Sequence, residues 1–225
     1  MAGELRPSVV VDDGGFAALV DRIVEGHRTI APTLRDSTVM LAEITSVDEI
    51  ASGVTLEQAP GRCRVVDLAH GDHRRFAWAV GPQSAKGLQH PAERTVFSVE
   101  VTAEGFSVTT PGSPAGTARD GSPERPLAVI GLRPCDVAAV GVLDRVLGAG
   151  AMGGLDPLVV VVNCAEPGGT CFCVSMDTGP ALSADLAHNA DLVVWERGAA
   201  AGPEYLLVAV SPAAKPWWRP SIRVR

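Results

Sequence analysis

The sequence lacks any apolar run long enough to cross a membrane. No stretch approaches the roughly 18 consecutive apolar residues that a transmembrane helix needs, and the chain reaches Glu4 and Pro7 before its first apolar stretch. The start of the chain therefore does not have the pattern of an export signal. Internal repeats and coiled-coil heptads are missing too. We expect a cytoplasmic protein without a membrane partner.

An excess of basic residues is also missing. The chain has 19 Lys and Arg residues against 26 Asp and Glu residues, which gives a formal net charge of -7. Nucleic-acid binding draws much of its affinity from basic side chains that neutralise phosphates, so we expect no nucleic-acid partner. The composition, 46% hydrophobic and 20% charged, is that of a globular chain that can bury a substantial core.

Cysteine is sparse, with five residues in a chain of 225. An odd count in a chain of this length, without an export signal, argues against the disulfide framework of a small secreted scaffold. Three of the five, Cys164, Cys171 and Cys173, nevertheless fall within ten residues, and Cys135 lies upstream of them. This concentration indicates a metal or redox site. Cys63 stands alone in a strand-like run, where we expect a small core residue.

The first half of the chain has the patterns of a helix and several strands. An acidic cap before apolar residues at three-and-four spacing predicts a helix near 14–27. Ser46 and Glu49 match a capping box, which predicts a short helix over 47–52. The strands predicted from β-rich runs are 38–44, 61–68 paired with 74–80 as a hairpin, and 96–101 paired with 106–109 as a second hairpin. Residues 111–126 are crowded with Gly, Pro, Ser and Thr, and we interpret them as a flexible connection and a candidate internal boundary.

The second half has a different pattern. Residues 127–130 and 158–162 are unbroken apolar runs, typical of strands buried on both faces, and residues 136–147 between them have helical periodicity. Strand, helix and strand in this order predict a βαβ unit with parallel pairing. A last hairpin is predicted from 192–195 and 205–210. The expected fold is α+β, a mixed sheet with antiparallel hairpins in the first half and a βαβ core in the second, in a single domain over 1–210.

The βαβ topology predicts where the cysteines lie. Cys135 and Cys164 follow the carboxyl ends of two parallel strands, so we expect them side by side at the edge where open α/β sheets bind ligands. The glycines of the segment 168–170 let the following loop turn back, which brings Cys171 and Cys173 toward the other two. Four thiolates can then converge, and these four residues are the candidate ligands.

Two charged residues flank Cys135. The start of a helix favours a thiolate there, because unpaired backbone N–H groups and the helix dipole stabilise negative charge. Arg133 adds a fixed positive charge that favours thiolates. Asp136 is expected to cap the helix rather than to act as a base.

Four convergent thiolates hold either an iron-sulfur cluster or a structural zinc ion. The spacing matches neither the paired C-x2-4-C knuckles of most zinc sites nor the C-x2-C-x2-C run of ferredoxins. A third interpretation is a non-redox interaction or scaffold domain whose thiols are structural or merely redox-sensitive. The spacing therefore leaves the cluster, the zinc module and the scaffold open.

Three stretches of the sequence resemble a known family. They are 131–136 (Gly-Leu-Arg-Pro-Cys-Asp), 163–180, whose Cys-Phe-Cys is the most specific part, and 81–91. Together they resemble the amino-terminal domain of the sulfhydrogenase beta-subunit family. This family includes the A subunit of anaerobic sulfite reductase and the beta subunit of cytoplasmic nickel-iron hydrogenases. The resemblance covers roughly residues 15–210.

The resemblance implies a non-catalytic electron-transfer subunit that carries a 4Fe-4S cluster. The residues that match the family pattern, and would be the ligands, are Cys135, Cys164, Cys171 and Cys173. The implied partners are a flavin- and NAD(P)-binding subunit and a catalytic hydrogenase or sulfite-reductase subunit. The electron would pass between these two partners through this chain.

The chain departs from the family in two places. An aromatic residue is usual in the family where Ala85 stands. Members also continue into a dicluster ferredoxin region with two C-x2-C-x2-C-x3-C-P runs, neither of which occurs here. Residues 211–225 form instead a basic, proline-rich tail with Trp217 and Trp218. We interpret this tail as a truncation or an altered reading frame, and a docking tail is the alternative.

Overall fold

A seven-stranded sheet forms the centre of the structure, a computed structural model that describes residues 8–79, 85–89, 96–103, 105–109, 125–147 and 156–214. The strands of the described part are β1 (Ser8–Asp12), β2 (Arg28–Arg35), β3 (Thr38–Ile44), β4 (Val54–Ala59), β5 (Arg62–Asp67), β6 (Ser98–Thr102), β7 (Gly105–Thr109), β8 (Leu127–Leu132), β9 (Leu158–Val162), β10 (Leu192–Ala199) and β11 (Gly202–Ala209). The helices are α1 (Asp13–Gly26), α2 (Lys86–Gln89), which is a single turn, and α3 (Pro134–Leu147).

The order of strands in the central sheet is β1-β11-β10-β9-β8-β2-β3. Strands β10, β9, β8 and β2 run parallel to one another, while β1, β11 and β3 pair antiparallel with their neighbours. The sheet is therefore mixed and the fold is α+β, as predicted. The β8-α3-β9 unit is the expected βαβ core. Strands from both sides of residues 111–126 join this one sheet.

Helices cover both faces of the central sheet, which explains the continuous apolar runs of β8 and β9. Successive residues of a strand face opposite sides. Ile130 belongs to the apolar cluster that includes α1, whereas Val129 belongs to the cluster that includes α3. Val160 and Val161 of β9 divide in the same way. Every residue of both strands is buried, so neither strand has a polar side to alternate with the apolar one.

Helix α1 begins where the sequence predicts. Asp12 is its N-cap, and the Asp12 carboxylate accepts a hydrogen bond from Gly15 N at 2.9 Å. On the buried face of the helix the Phe16 ring stacks on Tyr205 of β11, with 4.2 Å between the ring centroids. The same ring meets Phe76 edge-on at 5.8 Å. These contacts fix α1 against β11 and against the segment that contains Phe76.

The strand predicted over 74–80 is absent from its described part, which ends at residue 79. Buried side chains bind the backbone of this segment in place of a neighbouring strand. Glu196 accepts a hydrogen bond from Phe76 N at 2.8 Å, and Arg133 donates one to Trp78 O at 2.7 Å. The alternation of apolar residues in the sequence therefore reflects side-chain burial and not a β-ladder.

Strand β5 pairs with β4, a strand that the sequence pattern did not indicate, so the hairpin predicted from 61–68 and 74–80 is wrong. Cys63 lies in β5 but is exposed, and its prediction as a core residue is also wrong. The physical reason is that β4 and β5 form a separate two-stranded sheet. One side of such a sheet faces solvent.

Most other predicted elements are confirmed. Strand β3 has the predicted bounds, the β10–β11 hairpin forms, and the capping box starts a 3₁₀-helix that is shorter than predicted, Val47–Glu49. The β6–β7 hairpin also forms, and every residue of its two strands is exposed. Most of the predicted connection over 111–126 and most of the tail, from residue 215 on, lie outside the described residues. None of the described helices is both long and apolar enough to span a bilayer.

Candidate functional site

Strands β8 and β9 end at the same edge of the central sheet. Leu132, the last residue of β8, is paired in register with Val161, which is next to the end of β9. Cys135 follows in the first turn of α3, and Cys164 follows the end of β9. The charge of Cys164 affects the titration of Cys135. The structure therefore brings these two thiols, which are distant in sequence, to one edge of the sheet.

Residues 163–182 form a loop that closes on itself beyond the end of β9. Cys164 N donates a hydrogen bond to Pro180 O at 3.0 Å. Leu182 N donates one to Asn163 Oδ1 at 2.8 Å. These two contacts join the beginning of the loop to its end, so the residues between them are held next to the strand edge.

Cys171 and Cys173 lie inside this loop. Cys171 is exposed, whereas Cys173 is half-buried at the start of a 3₁₀-turn whose end is fixed by a hydrogen bond from Thr178 N to Cys173 O at 3.0 Å. The negative charges of both thiols act on Cys164, and that of Cys173 also acts on Cys135. A Cβ atom built at Gly179 would lie 3.1 Å from the Sγ of Cys173 and 3.8 Å from the Cβ of Pro134, so Cys173 lies near the start of α3, where Cys135 is.

Two glycines allow the loop to pack directly on β4. A Cβ atom at Gly169 would lie 2.8 Å from the carbonyl oxygen of Gln58, and one at Gly168 would lie 2.9 Å from the Cβ of Ala79. Thr170 Oγ1 donates a hydrogen bond to Gln58 Oε1 at 2.9 Å. The path of the loop between Cys164 and Cys171 therefore depends on a strand from the first half of the chain.

Burial dominates the titration of the two inner thiols. It raises the pKa of the Cys135 thiol to about 12, and the negative charges of Asp136, Cys164 and Cys173 contribute to that rise. Burial also raises the pKa of Cys164, although the positive charge of Arg133 opposes this effect. In the absence of a metal both thiols therefore hold their protons at neutral pH, and metal binding must displace those protons.

The expectation that the start of α3 favours a thiolate at Cys135 is wrong for the metal-free chain. The helix begins at Pro134, so Cys135 lies in its first turn, where backbone N–H groups do favour negative charge. Desolvation is the larger effect. Asp136 does accept a hydrogen bond from Arg133 N at 3.0 Å, which is the capping role predicted for it.

Backbone carbonyl groups surround the guanidinium of Arg133. Its side chain is fully buried, and its guanidinium donates to Phe76 O at 2.8 Å and to Trp78 O at 2.7 Å. Longer contacts reach Val162 O at 3.4 Å and Asn163 O at 3.3 Å. The guanidinium carbon also lies 4.4 Å from the centroid of the Trp78 ring. All four acceptors are neutral carbonyls, and no described carboxylate forms an ion pair with this side chain.

Glu196 of β10 holds the same segment from the other side. Its two carboxylate oxygens accept hydrogen bonds from Arg75 N at 2.7 Å and from Phe76 N at 2.8 Å. The Arg75 guanidinium pairs with Asp13 at 3.0 Å, and Tyr205 donates its hydroxyl hydrogen to Asp13. Burial raises the pKa of Glu196 despite the two backbone donors. This network fixes the carbonyl groups that surround Arg133.

An ion-pair cluster joins the segment to the cysteine loop. Arg74 contacts Glu166 of the loop at 2.9 Å and Asp72 at 2.8 Å. The first of these pairs links two parts of the chain that are far apart in sequence. It gives the loop a second attachment to the first half of the chain, beside the contacts of the glycines.

Two buried nitrogen donors next to the cysteines have no hydrogen-bond partner. They are Arg133 Nε and Asn163 Nδ2. Arg133 comes two residues before Cys135, and Asn163 comes directly before Cys164. A buried donor without an acceptor costs about 1–3 kcal/mol, so each of these two groups would be stabilised by an acceptor.

The described side chains offer no ready-made site for a single metal ion, because no three Cys, His, Asp or Glu residues among them converge closely enough to hold one. A tetrahedral zinc ion needs sulfur atoms within about 4 Å of one another, given a Zn–S distance of about 2.3 Å. An iron-sulfur cluster has iron and sulfide atoms between its thiolates and therefore accepts thiols that lie farther apart.

No family model, curated protein or solved structure matches this chain. The site is accordingly defined by its own geometry. Several residues that shape it were not predicted: the carbonyl groups of Phe76 and Trp78, the carboxylate of Glu196 and the amide of Asn163. One of them carried a signal in the sequence, because Asn163 is a polar residue placed directly between a fully apolar strand and a cysteine.

Proposed function

We propose that this chain is a cytoplasmic electron-transfer subunit that holds a 4Fe-4S cluster through Cys135, Cys164, Cys171 and Cys173. The observation that carries the proposal is the fully buried Arg133 next to these thiols. Its guanidinium donates a hydrogen bond to Asn163 O at 3.3 Å, the carbonyl group directly before Cys164. A buried guanidinium costs several kcal/mol unless negative charge compensates it, and four thiolates with a cluster supply negative charge at this place.

When bound, a 4Fe-4S cluster supplies one-electron redox chemistry. The four cysteines would hold it, and the chain would contribute the surroundings that set its potential. Cys135 and Cys164 are half-buried, whereas Cys171 is exposed on the loop. The exposed side of the loop is therefore where a redox partner can approach most closely.

The identity of the partners is part of the same proposal. The likeness of the cysteine motifs to the sulfhydrogenase beta-subunit family supports a flavin- and NAD(P)-binding subunit on one side. It supports a hydrogenase or sulfite-reductase subunit on the other. The net charge of -7 argues against nucleic acid as a partner.

A non-redox scaffold with structural thiols is the second candidate. The raised pKa values of Cys135 and Cys164 favour protonated thiols in the metal-free chain, and a protein that never binds metal would keep them so. Cys135→Ser separates the two functions. A scaffold would keep its stability and its partner, whereas a cluster protein would lose visible absorbance and stability, because metal binding is coupled to folding.

Metal analysis of the anaerobically purified chain tests the proposal directly. We expect about four iron atoms and about four acid-labile sulfides per chain after reconstitution with iron and sulfide, with broad visible absorbance. Cys164→Ser should lose most of the iron. The matched control is Cys63→Ser, whose cysteine is exposed on β5 opposite Gln58 and is not a candidate ligand, and it should keep all of it.

The outcomes separate the alternatives. A colourless product without iron, even after reconstitution, would contradict the electron-transfer function. One zinc ion per chain, lost in Cys164→Ser and kept in Cys63→Ser, would instead establish a structural zinc module.

A further inference from the structure

We infer that Arg133 and Asn163 set the reduction potential of the site: the buried positive charge of Arg133 stabilises the reduced state, and the unpaired N–H groups of both residues are reserved for acceptor atoms of the loaded site. The inference rests on the proposed function and adds to it a role for two residues that are not ligands. It explains why a cation and two unpaired donors are buried at the same strand edge.

The first step is that the hydrogen-bond acceptors around the Arg133 guanidinium are uncharged. An arginine side chain keeps its proton in proteins even where burial opposes the charge. The short hydrogen bonds of this one go to the carbonyl oxygens of Phe76 and Trp78, which solvate the charge without neutralising it. In the described part of the chain no carboxylate lies within ion-pair distance of the guanidinium. No directly paired carboxylate therefore neutralises the guanidinium charge.

The second step is the position of the Arg133 charge relative to the candidate ligands. The guanidinium donates to Val162 O at 3.4 Å and to Asn163 O at 3.3 Å, the carbonyl groups of the two residues that precede Cys164. The cation is therefore held beside the strand end that carries a candidate ligand. Glu196 and Asp136 also accept hydrogen bonds from backbone amides, so part of their charge is already compensated.

The third step is the pair of unpaired donors. Arg133 and Asn163 are 0% and 4% exposed, and no described protein atom accepts a hydrogen bond from Nε or Nδ2. Asn163 is fixed in this orientation because its Oδ1 accepts the hydrogen bond from Leu182 N. N–H donors near cluster sulfur atoms and positive charge both raise the reduction potential.

Reduction of the loaded site adds one electron and no proton, so its negative charge increases. A fixed positive charge nearby stabilises the more negative state. Removal of that charge should therefore make reduction less favourable. We expect the equilibrium constant for one-electron reduction to fall at least about tenfold, which corresponds to a potential about 59 mV more negative.

Redox titration with dithionite, followed by the electron paramagnetic resonance signal of the reduced cluster, measures this shift. Arg133→Gln removes the charge and should lower the potential by the stated amount at unchanged iron content. Arg133→Lys keeps the charge and should stay closer to the wild type. The matched control is Arg197→Gln, which removes the charge of an arginine whose side chain is 74% exposed and should leave the potential unchanged.

Two outcomes have different meanings. If the wild type holds iron and Arg133→Gln shifts the potential no more than Arg197→Gln does, the inference is overturned while the proposed function stands. If the wild type holds no iron after reconstitution, the proposed function fails and the inference fails with it.

A second measurement decides the question if the Arg133 variants do not fold. Wild-type chain labelled with ¹⁵N only in arginine side chains should show magnetic coupling between an arginine nitrogen and the reduced cluster. Labelling of asparagine side chains tests Nδ2 of Asn163 in the same way. The absence of both couplings in iron-loaded wild-type protein would overturn the inference without any substitution.

Discussion

At the scale of single residues, the glycines of the cysteine loop have defined steric roles. A Cβ atom at Gly169 would lie only 2.8 Å from the carbonyl oxygen of Gln58. This oxygen belongs to the backbone of a paired strand, which cannot move aside easily. At Gly179 an added Cβ would lie 3.1 Å from the Sγ of Cys173. The loop therefore needs glycine both where it touches β4 and where it passes a candidate ligand.

Gly169→Ala should destabilise the chain because the new methyl group would lie 2.8 Å from Gln58 O. Overpacking of this kind costs about 1–3 kcal/mol, and we expect a loss of bound iron as well, since the loop carries Cys171 and Cys173. Urea unfolding followed by circular dichroism measures the free energy.

The matched control for this substitution is Gly141→Ala in α3. No atom lies within 4 Å of the added Cβ there, and alanine is a better helix former than glycine by about 0.5–1 kcal/mol. We therefore expect the control to be more stable than the wild type. Equal effects of the two substitutions would show that the contact with Gln58 has no role.

At the scale of elements, the sequence predicts those whose signal is local. The apolar runs of β8 and β9 and the cap of α1 depend on neighbouring residues, and these elements form as expected. The side-by-side placement of Cys135 and Cys164 follows from the parallel pairing of the same two strands. The order and direction of these strands alone were sufficient to predict that the two cysteines lie at the same edge of the sheet.

Elements that depend on distant partners could not be predicted. The alternating residues of 74–79 look like a strand, but their backbone partners are Glu196 and Arg133, far away in the sequence. Strand β2 contains Pro32, which disfavours a strand inside a sheet. Pro32 is tolerated because β2 pairs with β8 only through Arg28–Ile30, so the proline lies beyond that ladder.

Glu196→Gln tests whether side chains hold this segment. A glutamine has only one acceptor oxygen, so either Arg75 N or Phe76 N would lose its hydrogen bond and remain buried. An unsatisfied buried donor costs about 1–3 kcal/mol, which denaturant unfolding can resolve. The control is Glu204→Gln on β11, whose ion pair with the exposed Arg197 should contribute less than about 1 kcal/mol.

At the scale of the whole molecule, the described part of the chain has a central sheet and two peripheral hairpins. The central sheet takes β1, β2 and β3 from the first half and β8 to β11 from the second. The β6–β7 hairpin carries Val101 and Phe106 opposite each other, 79% and 75% exposed. The central sheet is buried and this hairpin is exposed. We therefore expect substitutions in the sheet to lower the free energy of unfolding much more than substitutions in the hairpin.

Phe16→Ala should cost about 3–5 kcal/mol, the range for removal of a buried aromatic ring, because the ring stacks on Tyr205 and meets Phe76. Phe106→Ala removes the same side chain from an exposed position and should change the stability by less than about 0.5 kcal/mol. Thermal unfolding of both variants measures the difference. Similar effects would mean that the hairpin is packed against another part of the molecule.

The pairing of β1 with β11 has a consequence for folding during synthesis on the ribosome. The pairing of β1 must wait until β11 has been synthesised, and Phe16 of α1 gains its stacking partner Tyr205 only then. Contacts between residues so distant in sequence slow folding. Nascent chains should therefore expose the apolar faces of β1 and α1 for most of translation, and exposed apolar surface favours aggregation.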